Sequence, residues 1–216
     1  SYNKKINCIT KGDLFMSKMS KKKVIGITGS MGSGKSEISR YLRKKYPVLD
    51  CDQVNADLLK KGNLGYQKLN DLHIVELDSN GEIIKESLAT YMFSNEEHRK
   101  QVEAILHPLI FDEMHKWIHE QESLIVFVEM PILFEISAQE HFDSIWCVVA
   151  DLDVALSRLQ TYRNFTREQA LARLVSQMNP EEKMAKSDIV LRNNSTVEQL
   201  HMQIEDALKE EKLNGD

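Results

Sequence analysis

The chain has no run of apolar residues approaching the ~20 that a membrane-spanning helix requires, and its N-terminal stretch lacks the hydrophobic segment of a secretory signal. Neither membrane insertion nor export is expected, and the protein is read as soluble and cytoplasmic. Cysteine is scarce. Cys8, Cys51 and Cys147 are odd in number, widely spaced and without a C-x-x-C pair, which argues against a disulfide framework or a structural zinc site and suits a reducing compartment. Positive charge is not in excess either: a formal net charge of -5 argues against a general nucleic-acid binder, despite a basic cluster at Lys18, Lys21, Lys22 and Lys23 and arginines near 158 to 173. A small anion is the expected partner, and nothing implies an obligate protein partner. No internal repeat, low-complexity tract or proline-rich linker interrupts the chain, so its 216 residues are read as one well-buried domain, 21–216. Residues 1–20 show no periodicity and are read as a flexible leader or tag, with Met16 and Met19 as candidate starts.

Against these absences stands one complete motif. Gly29 to Ser36 read G-S-M-G-S-G-K-S, a G-x-x-x-x-G-K-[ST] phosphate-binding loop, preceded by the apolar strand pattern Val24-Ile25-Gly26-Ile27-Thr28 and followed by a helical pattern up to Pro47. In such a loop the glycines let backbone N–H groups converge on a polyphosphate; Lys35 adds charge at the β- and γ-phosphates and the Ser36 hydroxyl ligates Mg²⁺. The expected ligand is Mg·ATP or a similar triphosphate, held by Gly29, Gly32, Ser33, Gly34, Lys35 and Ser36.

Five segments read as buried strands: 24–28, 48–51, 124–128, 145–149 and 189–191. Continuous apolar runs alternating with helical patterns predict an α/β fold with a parallel sheet covered by helices on both faces. One pattern, from Val102 to Ile118, contains Pro108, which is expected to bend or break the helix. Thr166 with Gln169 and Ser195 with Glu198 form capping-box signatures for two later helices. Residues from about 60 to 94, with turn signals at Gly62, Gly65 and Asp78 to Gly81, read as an insertion after the second strand.

Several residues at the expected carboxyl edge of the sheet, where ligands bind in open parallel sheets, carry usable chemistry. If the second strand stays extended through Asp50-Cys51-Asp52, both carboxylates point toward the phosphate loop, one serving an acceptor hydroxyl and the other the Mg²⁺ shell; alternatively, one of them caps the next helix. Glu129, just beyond the third strand, stands where a Walker-B-type carboxylate reaches Mg²⁺, or is simply an exposed strand-end acid. Arg158, Arg163, Arg167 and Arg173 surround a short loop at 162–165, a candidate lid whose arginines neutralise charge in phosphoryl transfer, with Arg163 favoured and Arg158 next. His115 and His119 have metal-site spacing without a third ligand. Asp78 to Gly81 spell D-x-x-G, but no N-K-x-D tetrad follows, so a tight turn is expected.

Taken in order, the phosphate loop, Asp50-Cys51-Asp52, Ile105-Leu106-His107-Pro108-Leu109-Ile110 and Pro131-Ile132-Leu133-Phe134-Glu135 resemble the dephospho-CoA kinase family, and the resemblance runs over roughly residues 22–210. It implies a P-loop kinase fold with core segments 21–59, 122–150 and 186–216, an acceptor-binding helical region at about 60–121 and a lid at about 151–185. It also implies transfer of the ATP γ-phosphoryl group to the 3′-hydroxyl of dephospho-CoA, giving CoA. Carried over by position, Asp52 is the general base; Lys35 and Arg163 complete the catalytic set. Asp50 is the Mg²⁺ or acceptor partner of Asp52, His107 and Arg158 are read at the acceptor, Ser36 and Glu129 at the metal, and Glu37 and Asn193 join the nucleotide-binding residues, Asn193 near the adenine. Three departures accompany the match. Glu37 stands where the family often has Thr, Leu72-His73 replaces a usual Phe-Gly pair, and Lys85 replaces an arginine.

Overall fold

In a computed structural model the described residues are 22–213; the leader read at 1–20 lies outside them. Strands β1 (Lys23–Gly29), β2 (Val48–Asp50), β3 (Ile125–Glu129), β4 (Ser144–Val149) and β5 (Ile189–Arg192) form one parallel sheet in the order β2-β3-β1-β4-β5. All five coincide with the expected apolar runs to within a residue or two. Their continuous hydrophobicity has the cause inferred from it, since both faces are covered.

One face packs Ile25, Ile27, Phe127 and Trp146 against Ile38 and Leu42 of α1 (Lys35–Leu42) and Leu200 and Ile204 of α9 (Val197–Leu213). The other packs Val128 and Ile145 against Met114 of the long helix α5 (Glu96–Glu120) and against Leu133 and Phe134 of the segment after β3. Each of these side chains is essentially withdrawn from water, and full burial of one Leu- or Phe-sized group contributes about 1.5–3 kcal/mol. The two layers hold the carboxyl edge of the sheet rigid, and that edge carries the site.

Between β2 and β3 lie α2 (Cys51–Leu58), α3 (Leu64–Asp71), α4 (Lys85–Ser94) and α5. A third core of Leu69, Leu88, Val102 and Leu106 joins α3, α4 and α5. Asp78 to Gly81 form the expected tight turn: the Asp78 carboxylate accepts from the Asn80 and Glu82 N–H groups, and the Gly81 N–H donates to Asp78 O. Beyond β4, α6 (Leu152–Arg163) and α7 (Arg167–Val175) make a hairpin, followed by α8 (Pro180–Ala185). The connection is shorter than the sequence suggested. Tyr162 and Arg163 belong to the last turn of α6, and Asn164 ends it in the left-handed conformation.

Three local expectations resolve differently from one another. The Thr166–Gln169 capping box forms in both directions, at 2.9 and 3.1 Å. The second box does not: Thr196, one residue later than Ser195, accepts from the Gln199 N–H at 3.2 Å, so the later of two overlapping frames is used. Pro108 does not break α5, which runs from Glu96 to Glu120 through it. Its ring removes one backbone donor, but Val102, Leu106, Leu109 and Met114 are buried on both sides of it, and that anchorage outweighs a local cost of ~3 kcal/mol.

Candidate active site

Strand register assembles the site. Glu129 is the partner of both Ile27 and Asp50, so the last residues of β2 and β3 lie side by side next to the point where β1 runs into the phosphate loop. The loop needs glycine where the chain turns and approaches its neighbours closely, as at Gly32 and Gly34. Gly32 has φ of 72° and a Cβ there would stand 2.8 Å from the Ala155 carbonyl oxygen; Gly34, at φ of 100°, is the N-cap of α1 and lies against Asn193. An L-residue is strained at both.

The loop's carbonyl oxygens are held from behind. Arg158 donates from Nη1 to Gly32 O at 3.1 Å and to Ser33 O at 3.4 Å, and from Nη2 to Asn193 O at 2.8 Å. Asn193, buried just after β5, donates from Nδ2 to Ser33 O at 3.0 Å. Arg158 was expected at the acceptor and Asn193 near the adenine. In the structure both engage the phosphate loop. Because a trans peptide aims its C=O and N–H in opposite directions, fixing the Ser33 carbonyl fixes where the Gly34 N–H points.

Lys35 Nζ donates to Gly29 O at 2.7 Å and Ser30 O at 2.9 Å. Burial lowers its pKa to about 8, with Lys183 adding to the depression and Glu129 and Asp52 opposing it. Ser36 follows with its side chain exposed. Glu37 turns away from the loop to pair with Arg40 and with His201 Nε2 of α9 at 3.1 Å; its own N–H donates to Gly34 O. The acid at this position is thereby kept clear of a phosphate, which is why it can be accommodated.

The strand-end acids separate into different environments. The strand does not stay extended through 52: it ends at Asp50, which caps α2 by accepting from the Asp52 N–H at 2.9 Å and the Gln53 N–H at 3.4 Å. The pair therefore does not project in parallel, and Asp52 sits in the first helical turn, facing the cleft. Burial, then the neighbouring Asp50, raises the Asp52 pKa, while Lys35 and Arg163 pull it back. That influence places the Arg163 guanidinium within electrostatic reach of both Asp52 and Lys35. Glu129 is a buried acid, not an exposed one. Its Oε2 accepts from Ser39 Oγ at 2.6 Å, and burial raises its pKa.

Asp52 lies on the wall of two adjoining cavities. One, of about 190 Å³, includes Cys51, Leu106, His107, Met130 and Pro131; the other, of about 670 Å³, runs past Asn55, Lys60, Lys85 and Phe93. His107 is half-buried and burial lowers its pKa. The lining is mostly apolar, with Lys60, Lys85 and Glu82 among the charged groups of the larger cavity, and together the two spaces suit an elongated ligand.

Not every candidate joins the site. Arg173 lies over the Phe165 ring, 5.7 Å from its centroid. His115 Nε2 instead meets His141 Nδ1 at 2.9 Å, and among the described residues no group of three metal-ligating side chains forms. Sequence reasoning missed Ser39, the acid's partner, and Lys183, a fully buried lysine of α8 that donates to Pro131 O at 3.1 Å and to Glu135 Oε1 at 2.8 Å. Nothing in a helical pattern singles out either residue.

Comparison with known proteins finds relatives along most of the chain. The family model described as dephospho-CoA kinase matches residues 23–199. A dephospho-CoA kinase of Bacillus cereus is 34% identical over 192 residues, covering 86% of this chain and 96% of its own length. A solved structure from Thermus thermophilus superposes with a TM-score of 0.78 at 32% identity, covering 88% of this chain and 98% of that one. The dephospho-CoA kinase of Campylobacter jejuni shares the fold, with a TM-score of 0.65 at 23% identity over 90% of this chain and 100% of its own.

Proposed function

The chain belongs to the dephospho-CoA kinase family, and from that premise we propose how its residues divide the transfer of the ATP γ-phosphoryl group to the 3′-hydroxyl of dephospho-CoA. This reaction yields CoA and ADP. It is the last step of CoA biosynthesis.

The observation that carries the division is the position of Asp52, which borders both acceptor cavities and is electrostatically coupled to Lys35 and Arg163. Asp52 receives the proton of the acceptor hydroxyl. Its raised pKa makes the carboxylate a stronger base. Lys35 and the N–H groups of the phosphate loop hold the ATP phosphates, and Arg163, carried at the tip of the α6–α7 hairpin, neutralises charge on the transferring group. The hairpin and α8, within 151–185, act as the lid, and the helices of 60–121 as the acceptor-binding region. His107 and Lys85 contact dephospho-CoA. Asp50 acts by fixing the start of α2 and so the direction of Asp52.

An all-oxygen set of Ser36 and Glu129 suits Mg²⁺, and a nearby dication favours the ionised form of a buried acid such as Glu129. When bound, the metal supplies charge neutralisation between the β- and γ-phosphates. A cytoplasmic setting fits the free, buried thiols of Cys51 and Cys147.

The test is a mass-spectrometric product assay with Mg·ATP and dephospho-CoA, run beside shikimate and a panel of nucleoside monophosphates. CoA with stoichiometric ADP is the expected result. Phosphorylation of another acceptor without CoA overturns the acceptor assignment, and ATP binding without any phosphorylated product points to a nucleotide switch.

A further inference from the structure

The lid hairpin and the phosphate loop share one core. Met31, at the tip of the loop, packs with Leu156 and Leu159 of α6 and with Ala170 and Leu174 of α7. Its backbone is held as well: the Met31 N–H donates to Gln177 Oε1 at 3.0 Å, from a residue just past the end of α7. The same peptide unit contributes the Ser30 carbonyl, which accepts from Lys35 Nζ at 2.9 Å and from the Ser33 N–H at 3.2 Å. The Ser30–Met31 peptide is therefore pinned at both ends, by the lid side at its donor and by the catalytic lysine at its acceptor. Rotating that plane moves both.

We propose that Gln177 is a positioning residue: by fixing the Ser30–Met31 peptide it sets where the Lys35 ammonium lies, and so links the placement of the lid hairpin to the charge presented to the ATP phosphates. Among the described residues the other hydrogen bonds from the hairpin to the loop fall elsewhere. Arg158 holds Gly32 O and Ser33 O, further along, and the Gln177 amide is the polar group of the hairpin's end that meets Met31. The inference rests on phosphoryl transfer at this loop.

The experiment compares wild type with Gln177→Met, which keeps length but removes the acceptor, and Gln177→Glu, which keeps an acceptor oxygen and adds negative charge. The readout is the split between KM for ATP and kcat at a single pH, together with a thermal melt. Gln177→Met is expected to lower kcat/KM for ATP by about tenfold with a melting temperature close to that of wild type, and Gln177→Glu, which keeps the acceptor oxygen, is expected to restore most of that loss. A merely structural contact lowers the melt in both variants and leaves kcat/KM for ATP unchanged, and that result overturns the proposal. An equal loss of kcat/KM in both variants overturns it too. Wild type that makes no CoA defeats the functional reading, whereas active wild type with Gln177→Met at the wild-type kcat/KM defeats this inference alone.

Discussion

Lys183 and Glu135 offer a stability test whose outcome is asymmetric. The lysine is 1% exposed and its carboxylate partner 26%, with 2.8 Å between Nζ and Oε1. Replacing Glu135 by Leu leaves a buried ammonium with the Pro131 carbonyl as its remaining acceptor. Breaking a buried pair in this way costs about 3–5 kcal/mol. Replacing Lys183 by Met has a milder consequence. The Glu135 carboxylate reaches water on its exposed side, and Pro131 O keeps the Thr28 hydroxyl as a donor at 3.0 Å, so a cost of about 1–2 kcal/mol is expected. At ~2–4 °C per kcal/mol for a domain of this size, Glu135→Leu melts roughly 10 °C below wild type and Lys183→Met roughly 4 °C below. The double variant Lys183→Met, Glu135→Leu has neither stranded charge and is expected to be more stable than Glu135→Leu alone. Thermal and urea unfolding of the four proteins measure the cycle. If Lys183→Met costs as much as Glu135→Leu, or if the two effects simply add, the reasoning from unequal burial is refuted.

Other expectations concern the reaction and one turn. Asp52→Asn should lower kcat by ~10² or more with ATP affinity nearly unchanged; near-normal turnover in stopped-flow assays removes Asp52 from the base role. ATP affinity should be full below pH 8 and weaken above it. The Lys35 pKa of about 8 means that the free enzyme loses the binding cation as pH rises through that value, by up to about tenfold in affinity per further unit. Binding at pH 9 then takes up a proton, which calorimetry in buffers of different ionisation enthalpy detects; a flat affinity from pH 7 to 9.5 contradicts the lowered value. His73, at φ of 55°, occupies the left-handed conformation where the family pattern has glycine. His73→Gly should therefore stabilise the fold by about 0.5–1 kcal/mol, and a melting temperature at or below that of wild type would show that no strain resides there.

What could be read from sequence follows the range of the forces involved. Apolar runs identify β1 to β5 because full burial on both faces imposes itself on every residue of a central strand. The phosphate loop and the Thr166–Gln169 box are legible because their hydrogen bonds close within a few residues. Asp50 was ambiguous for a related reason: capping and catalysis ask for the same carboxylate at the same place, and only the point where β2 ends decides between them. Pro108 lies inside an unbroken helix, against the local expectation, because local backbone cost is visible in the chain and the burial of Leu106 and Met114 on either side is not. Arg158, Lys183 and Gln177 act over separations of 126, 52 and 146 residues. No spacing rule reaches that far.

The grip of Asn193 on the phosphate loop has a consequence for the order of synthesis. The loop is made before its brace: the amide that holds the Ser33 carbonyl comes from 160 residues later in the chain, after β5. A nascent chain halted before that strand carries the whole motif, and α6 with Arg158, without the Asn193 contact. The bracing of the Ser33 peptide is thus completed only when the segment after β5 has docked.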